Sequence, residues 1–314
     1  MRNFSLKFFL SCLIMLMFVS CGGEPVQRGT GNQSLPLGKG ETPNDRFAVI
    51  KKKVALLPAF NESPYGGPDL AVQVTEELRR ELSATGEFMV DSGAEQIFGS
   101  SKEIYAGGGG KLSQMAKRAK VAGLNFVVYG RVVDARMREQ ADDIGLVRES
   151  RAYSEAKVEL KVYDVSQQKE LLSRTFLGYA NDKTYKLFAN TEEEKIAYRQ
   201  ELLRYAVRVA TRKMIPEILD LGAKLDWTGR VAKIVGNKIY LNSGRASGLQ
   251  VGDILKVLTD GEEIYDPETG ALIGTSKGEL KGTIEIVEYF GPDGATAVLN
   301  SGGNVAEGDF VMLY

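Results

Sequence analysis

The sequence predicts an α+β protein in which an α/β-layered domain precedes a small all-β, barrel-like domain. Three observations carry that expectation. Between residues 54 and 133 short apolar runs alternate with stretches of helical spacing, as they do where strands and helices stack in layers. From Ala156 to Tyr163 apolar and polar residues alternate strictly, the period of a strand with one buried face. Beyond Trp227 the character changes: fifteen glycines fall between Gly229 and Gly308 and cut the chain into runs of strand length.

The N-terminus is unlike the rest of the 314 residues. Arg2 and Lys7 make it basic, and Phe8 to Val19 is apolar apart from Ser11. That run is shorter than the ~20 residues a membrane-spanning helix needs, and it fits the apolar core of an export signal. Phe18-Val19-Ser20-Cys21-Gly22 then resembles the lipobox of bacterial lipoproteins. The resemblance implies that residues 1–20 are removed, that the cut falls between Ser20 and Cys21, and that Cys21 is acylated. Acyl chains at ~0.8 kcal/mol per buried CH₂ would anchor the protein. Gly22 in place of Asp after the cysteine implies, by the sorting rule of related lipoproteins, the periplasmic face of the outer membrane. Cys12 leaves with the signal, so Cys21 is the last thiol and no internal disulfide is possible. Residues 21–46, rich in Gly, Pro, Ser, Asn and Gln, read as a flexible tether.

Residues 47–223 form the predicted α/β domain. Val54 to Phe60 is a buried strand and Asn61 to Pro68 a turn. Leu70, Val74, Leu78 and Leu82 mark a helix with Asp69 as its cap. Phe88 to Val90 is a second strand, with a short helix near Glu95. Leu112 to Ala122 is a helix closed by Gly123, and Phe126 to Val133 a strong strand. The alternating strand turns at Ser166-Gln167-Gln168 and returns over Leu171 to Tyr179. A capping box, Thr191-Glu192-Glu193-Glu194, opens a long helix kinked at Pro216 and stopped at Gly222. Residues 226–314 form the β domain, with turns at Gly236-Asn237, Asp260-Gly261, Pro267 to Gly270 and Pro292 to Gly294. This domain echoes itself. Leu241-Asn242-Ser243-Gly244 precedes Gly252-Asp253, and Leu299-Asn300-Ser301-Gly302 precedes Gly308-Asp309. Both are expected to be tight returns, with positive φ at Gly and Asp bonding the turn backbone.

Composition excludes much chemistry. Without histidine there is no Ser-His-Asp or Cys-His pair and no imidazole metal ligand. A net charge of −1 gives no basic footprint for nucleic acid. No catalytic residue, cofactor or metal site is therefore expected. The glycine stretch from Tyr105 to Ser113 misses the phosphate-loop pattern at Tyr105 and Leu112, and reads as a loop before the next helix. Asp142-Asp143, Glu192 to Glu194 and Asp266-Pro267-Glu268 suit a hairpin tip, a helix start and a turn. A carboxylate enzyme using Asp142 or Asp266 is the least favoured alternative. Arg204, Arg208 and Arg212 recur every fourth residue along the long helix, as a solvated stripe or a contact for an acidic partner. Together with Trp227, placed as a plug at the domain junction, they are the candidate interface residues.

The Cys21 lipobox, the Val54 to Phe60 strand followed by Asn61-Glu62, Val128-Tyr129-Gly130-Arg131-Val132 and Val158 to Val165 together resemble the CsgG family of outer-membrane lipoproteins and the related TolB N-terminal fold. Gly229 to Tyr314 is similar to the C-terminal domain of the flagellar assembly protein FlgT, through Asp266-Pro267-Glu268-Thr269-Gly270 and the two Gly-Asp strand starts. These resemblances imply a non-enzymatic scaffold of a cell-envelope machine, a flagellar basal body first of all, with periplasmic protein partners and a possible homo-oligomeric ring. The alternative they imply is a CsgG-like secretion channel for curli or other proteins. A pore needs two strand pairs with a lipid-facing apolar side, and the candidate stretches, Ala135 to Ser154 and Asn181 to Tyr198, are polar.

Overall fold

The computed structural model describes residues 50–91, 93–141, 150–181 and 192–314. Cys21, the tether, Asp142-Asp143 and the Thr191 cap lie outside these residues. The described residues lie in one compact unit. The fold is α+β with a closed barrel.

The first sheet has the order β3-β1-β4-β5-β6, with β2 on β4. β1 (Lys52–Leu56), β2 (Phe60–Asn61), β3 (Phe88–Asp91) and β4 (Phe126–Ala141) run parallel, and β5 (Ser150–Asp164) and β6 (Lys169–Asn181) complete an antiparallel meander. Between the parallel strands come α1 (Asp69–Ala84), α2 (Ala94–Phe98) and α3 (Ser101–Ala122). After the meander come α4 (Glu192–Arg212) and α5 (Ile215–Lys224). Alternation in each strand divides the core. Val54, Leu56, Phe126, Val128 and Leu160 meet Leu70, Val74 and Leu78 of α1 and Leu202, Ala206 and Ala210 of α4. Their neighbours Ala55, Leu57, Val127 and Tyr129 point the other way, onto Phe98, Ile104, Leu112 and Ala116 of α2 and α3. Gly178 of β6 lies against the α4 backbone at Ala206, where a side chain would collide.

Several local expectations are corrected. Asp69 is the first helical residue of α1, and Pro68 takes the cap position without a side-chain bond. The glycine stretch is not a loop: α3 is capped at its start by Ser100, whose hydroxyl accepts from Glu103 N, runs through Gly107 to Gly110, and is capped at its end by Gly123 in the left-handed region. Ile104 and Leu112, buried on either side, hold that segment helical against a propensity cost of about 1 kcal/mol per glycine. Pro216 begins a separate helix, α5, in place of a kink. Gly222 lies inside α5, beside the Phe88 ring.

The second sheet closes into a six-stranded barrel. β7 (Thr228–Val235), β8 (Lys238–Leu241) and β9 (Ile254–Leu258) form one half, and β12 (Leu280–Phe290), β13 (Gly294–Gly302) and β14 (Phe310–Leu313) the other. Between the halves stands a hairpin of β10 (Glu263–Tyr265) and β11 (Leu272–Thr275). The barrel order β12-β13-β8-β7-β14-β9 is unchanged when the halves are exchanged, so the repeat read in the sequence is a pseudo-two-fold axis. Gly252 and Gly308 have φ of 93° and 90°. Asp253 and Asp309 each accept from the backbone N–H three residues before them. Each turn also clasps the opposite half. Gly252 N donates to Ile286 O, and Ile286 N donates to Asp253 O; Gly308 N donates to Val231 O, and Val231 N donates to Asp309 O.

Candidate functional site

The sheet face beside α3 is open to solvent in two clefts. Tyr129 of β4 and Tyr163 of β5 share a buried cluster with Ile104, Leu112 and Ala116 of the helix. The two clefts, of about 580 and 930 Å³, meet at Tyr105. The first is lined by Tyr105, Tyr129, Tyr163, Lys161 and Glu170. The second runs past Asn61, Glu62 and Arg131 to the start of α1.

Aromatic rings form its spine. Phe60, Tyr105 and Tyr129 follow edge to face with centroids 5.4 and 5.6 Å apart. The Arg131 guanidinium sits 4.5 Å from the Tyr105 centroid and donates to Glu159 at 2.6 Å and to Glu62 at 2.9 Å. Tyr129 donates to Glu170, which also receives Lys161, both at 3.2 Å. Burial pushes the Tyr105, Tyr129 and Tyr163 hydroxyls above the ordinary tyrosine range, and nearby carboxylates add to it. They stay neutral donors. The Tyr163 hydroxyl is buried without a partner. Such a groove of ring faces, donors and fixed charges suits an extended, amphipathic binding partner. Sequence reasoning placed Tyr129 and Arg131 on a strand without pairing them; the β4–β5 register that sets Arg131 opposite Glu159 supplied the missing link.

The residues expected to form an interface are dispersed. Arg204 reaches Asp69 at 3.2 Å, Arg208 reaches Glu201 at 3.0 Å, and Arg212 reaches Glu77 at 2.7 Å and Glu81 at 3.3 Å. Arg204 and Arg212, still partly exposed, therefore clamp α4 to α1, whereas Arg208 pairs along its own helix. Bonding to Glu77 raises the Arg212 pKa. Trp227 is buried and packs in the barrel core with Ile50, Val231 and Val311. Asp266 accepts from Glu268 N, Thr269 N and the Thr269 hydroxyl, closing the β10–β11 turn on itself. The inner face of the β4–β5 pair, Ala135, Ala152 and Ala156, packs in the same core as α4.

A latch joins the two sheets. Asp293 accepts from Gly244 N, Ser247 N and the Ser247 hydroxyl, and pairs with Lys53 of β1 at 2.9 Å. Lys53 also donates to Asn242 O, and Asn125 links Lys53 N to Thr228. Burial opposes the Asp293 charge, but the Ser247 and Lys53 bonds outweigh it and lower its pKa.

No protein-family model matches the chain, and no curated protein does. Among solved structures it is similar to a hypothetical protein from Chlamydia trachomatis, at 14% identity over 55% of this chain and 95% of that one, with a TM-score of 0.35. A lipoprotein from Neisseria meningitidis matches at 14% identity over 54% and 99% of the two chains, with a TM-score of 0.30. The LpoB C-terminal domain from Salmonella enterica matches at 16% identity over 41% and 83%, with a TM-score of 0.27. No helix among the described residues is long and apolar enough to cross a membrane.

Proposed function

We propose that the protein is a lipid-anchored envelope lipoprotein that works as a non-enzymatic assembly or scaffold component on the periplasmic face of the outer membrane. The observation that carries this reading is the order of the parts in the sequence: an export-signal pattern over residues 1–20, a tether over residues 21–46 that opens with Cys21, and a folded unit that offers an aromatic and charged groove. In this reading residues 47–223 and 226–314 are the two domains. The groove around Tyr105 and Arg131 receives a protein partner, and the rim of α4 at Arg204, Arg208 and Arg212 is a second contact surface. The resemblance to FlgT makes a flagellar basal body the machine to test first.

Replacing Cys21 with Ser is expected to move the protein from the membrane fraction to the soluble periplasmic fraction; continued retention would overturn the anchor. The Arg131→Ala variant, still lipidated, is expected to lose partners captured by in-cell crosslinking, and an unchanged crosslinking pattern would count against the groove. The CsgG-like channel keeps one supporting observation, because β4 and β5 exceed the ~10 residues of a membrane-crossing strand. A closed ring in the native mass of the detergent-extracted protein, with conductance in planar bilayers, would favour it.

A further inference from the structure

The seam between the two sheets holds a separate cleft of about 130 Å³, lined among others by Lys120 of α3 and by Thr228, Thr259, Thr275, Ser276 and Phe310 of the barrel side. A narrower recess that shares Lys120, Thr228 and Phe310 reaches Arg230. The charges here do not balance. Lys120 and Arg230 are 5% and 8% exposed, and both stand over the Phe310 ring, at 5.6 and 4.4 Å. Both pair with one carboxylate, Asp260, which is half-exposed and 3.4 Å from each, while Asp309, whose charge also favours Arg230, is held by Lys281 at 2.7 Å. Asp226 at the rim is taken by Lys277 at 4.0 Å. A buried cation without a full counter-charge is costly, and burial lowers the Arg230 pKa.

Hydrogen-bonding capacity is unbalanced in the same sense. Thr228 Oγ1 accepts from Asn125, Thr259 Oγ1 from Glu279 N and Ser276 Oγ from Glu262 N. Each of these hydroxyls keeps its own hydrogen to donate. Arg230 Nε and Thr275 Oγ1 are buried with no partner. Unpaired buried polar groups are rare in folded proteins and call for an explanation. With Lys120 the site holds more donors than the two oxygens of a carboxylate can accept. A phosphate group, with more oxygens and greater charge, matches them.

We propose that this seam cleft binds a phosphate-type oxyanion, held by Lys120, Arg230 and the hydroxyls of Thr228, Thr275 and Ser276. The anion bridges α3 and the barrel, so it ties the two sheets together. This site is independent of the scaffold reading and of the groove around Tyr105.

The test is calorimetric titration and thermal unfolding of the mature chain with inorganic phosphate, glycerol phosphate and acetate at constant ionic strength. Phosphate is expected to bind saturably and raise the Tm, since a ligand of the folded state stabilises it by mass action. Thr275→Val, close in shape, is expected to weaken binding by about 10-fold, the value of one hydrogen bond to a charged group. Asp260→Asn is expected to tighten binding, because it removes the competing carboxylate. Lys120→Met should abolish binding, and if it does not fold, the Thr275 and Asp260 variants decide. Tighter binding of glycerol phosphate than of phosphate supports an ester such as a lipid headgroup, and the reverse supports the free ion. Absence of saturable binding, acetate binding as well as phosphate, or affinity unchanged in Thr275→Val and Asp260→Asn would overturn the proposal.

Discussion

The two copies of the Leu-Asn-Ser-Gly segment in the barrel differ in surroundings and in backbone: β8 ends at Leu241, whereas β13 continues to Gly302, which has a φ of 82°. In the first, Leu241 and Ser243 are buried, Asn242 O receives Lys53 from the other sheet, and the loop beyond it holds Ser247 against Asp293. In the second, Leu299 is 46% exposed, and the side chains of Asn300 and Ser301 bond to Thr283 on the neighbouring strand. The turn geometry that follows is the same in both, down to the positive φ at glycine and the Asp acceptor three residues from its donor. Local sequence therefore set the turn, and the position of the first sheet decided which copy became a joint.

Three experiments would break or sharpen this comparison. The largest effect is expected at the latch. Asp293→Ala leaves Lys53 partly buried without its partner and removes the acceptor for two backbone donors, so urea unfolding should show a loss of about 3 kcal/mol. The pH dependence follows from the same group. Its folded pKa is lowered from 3.8, so its contribution is complete above that value and disappears as pH falls through the lowered one. An Asp293→Asn variant should lose that part of the acid dependence, and an unchanged acid limb would place the effect elsewhere.

Next come the glycines. Gly252→Ala and Gly308→Ala should each cost about 1–2 kcal/mol, because both positions are open in space yet left-handed in backbone. Equal costs would show that the two turns are energetically the same; unequal costs would mean that the seam reaches into the turn itself. The smallest difference is expected at the asparagines. Asn242 Oδ1 accepts from Arg230 N, so Asn242→Ala should cost about 1 kcal/mol, whereas exposed Asn300→Ala should stay within ~0.5 kcal/mol. Thermal unfolding of the pair would resolve the two values.

Legibility from sequence followed the same division. The Leu70, Val74, Leu78 stripe, the Ala156 to Val162 alternation and the Gly-Asp returns could be read because each depends on neighbours a few residues away. The glycines of α3 could not, since local propensity opposes the helix and only the burial of Ile104 and Leu112 against β1 and β4 overrides it. The arginine stripe was visible as a pattern, but its carboxylate partners Asp69, Glu77 and Glu81 lie more than a hundred residues away on α1. The Tyr105 groove was missed for a like reason: its members come from α3, β4 and β5, and none is distinctive alone.

By itself the sequence determined the period of each strand and most helix faces, the residues at the barrel turns and the duplication of the barrel half. These are short-range consequences of side-chain volume, backbone freedom and hydrophobic spacing. Only the tertiary structure decided which residues face each other: Lys53 with Asp293, Arg131 with Tyr105 and Glu159, and Lys120 and Arg230 over a single aromatic ring. Charge pairing and desolvation act through space, and their sign and strength depend on distance and burial that linear spacing does not contain.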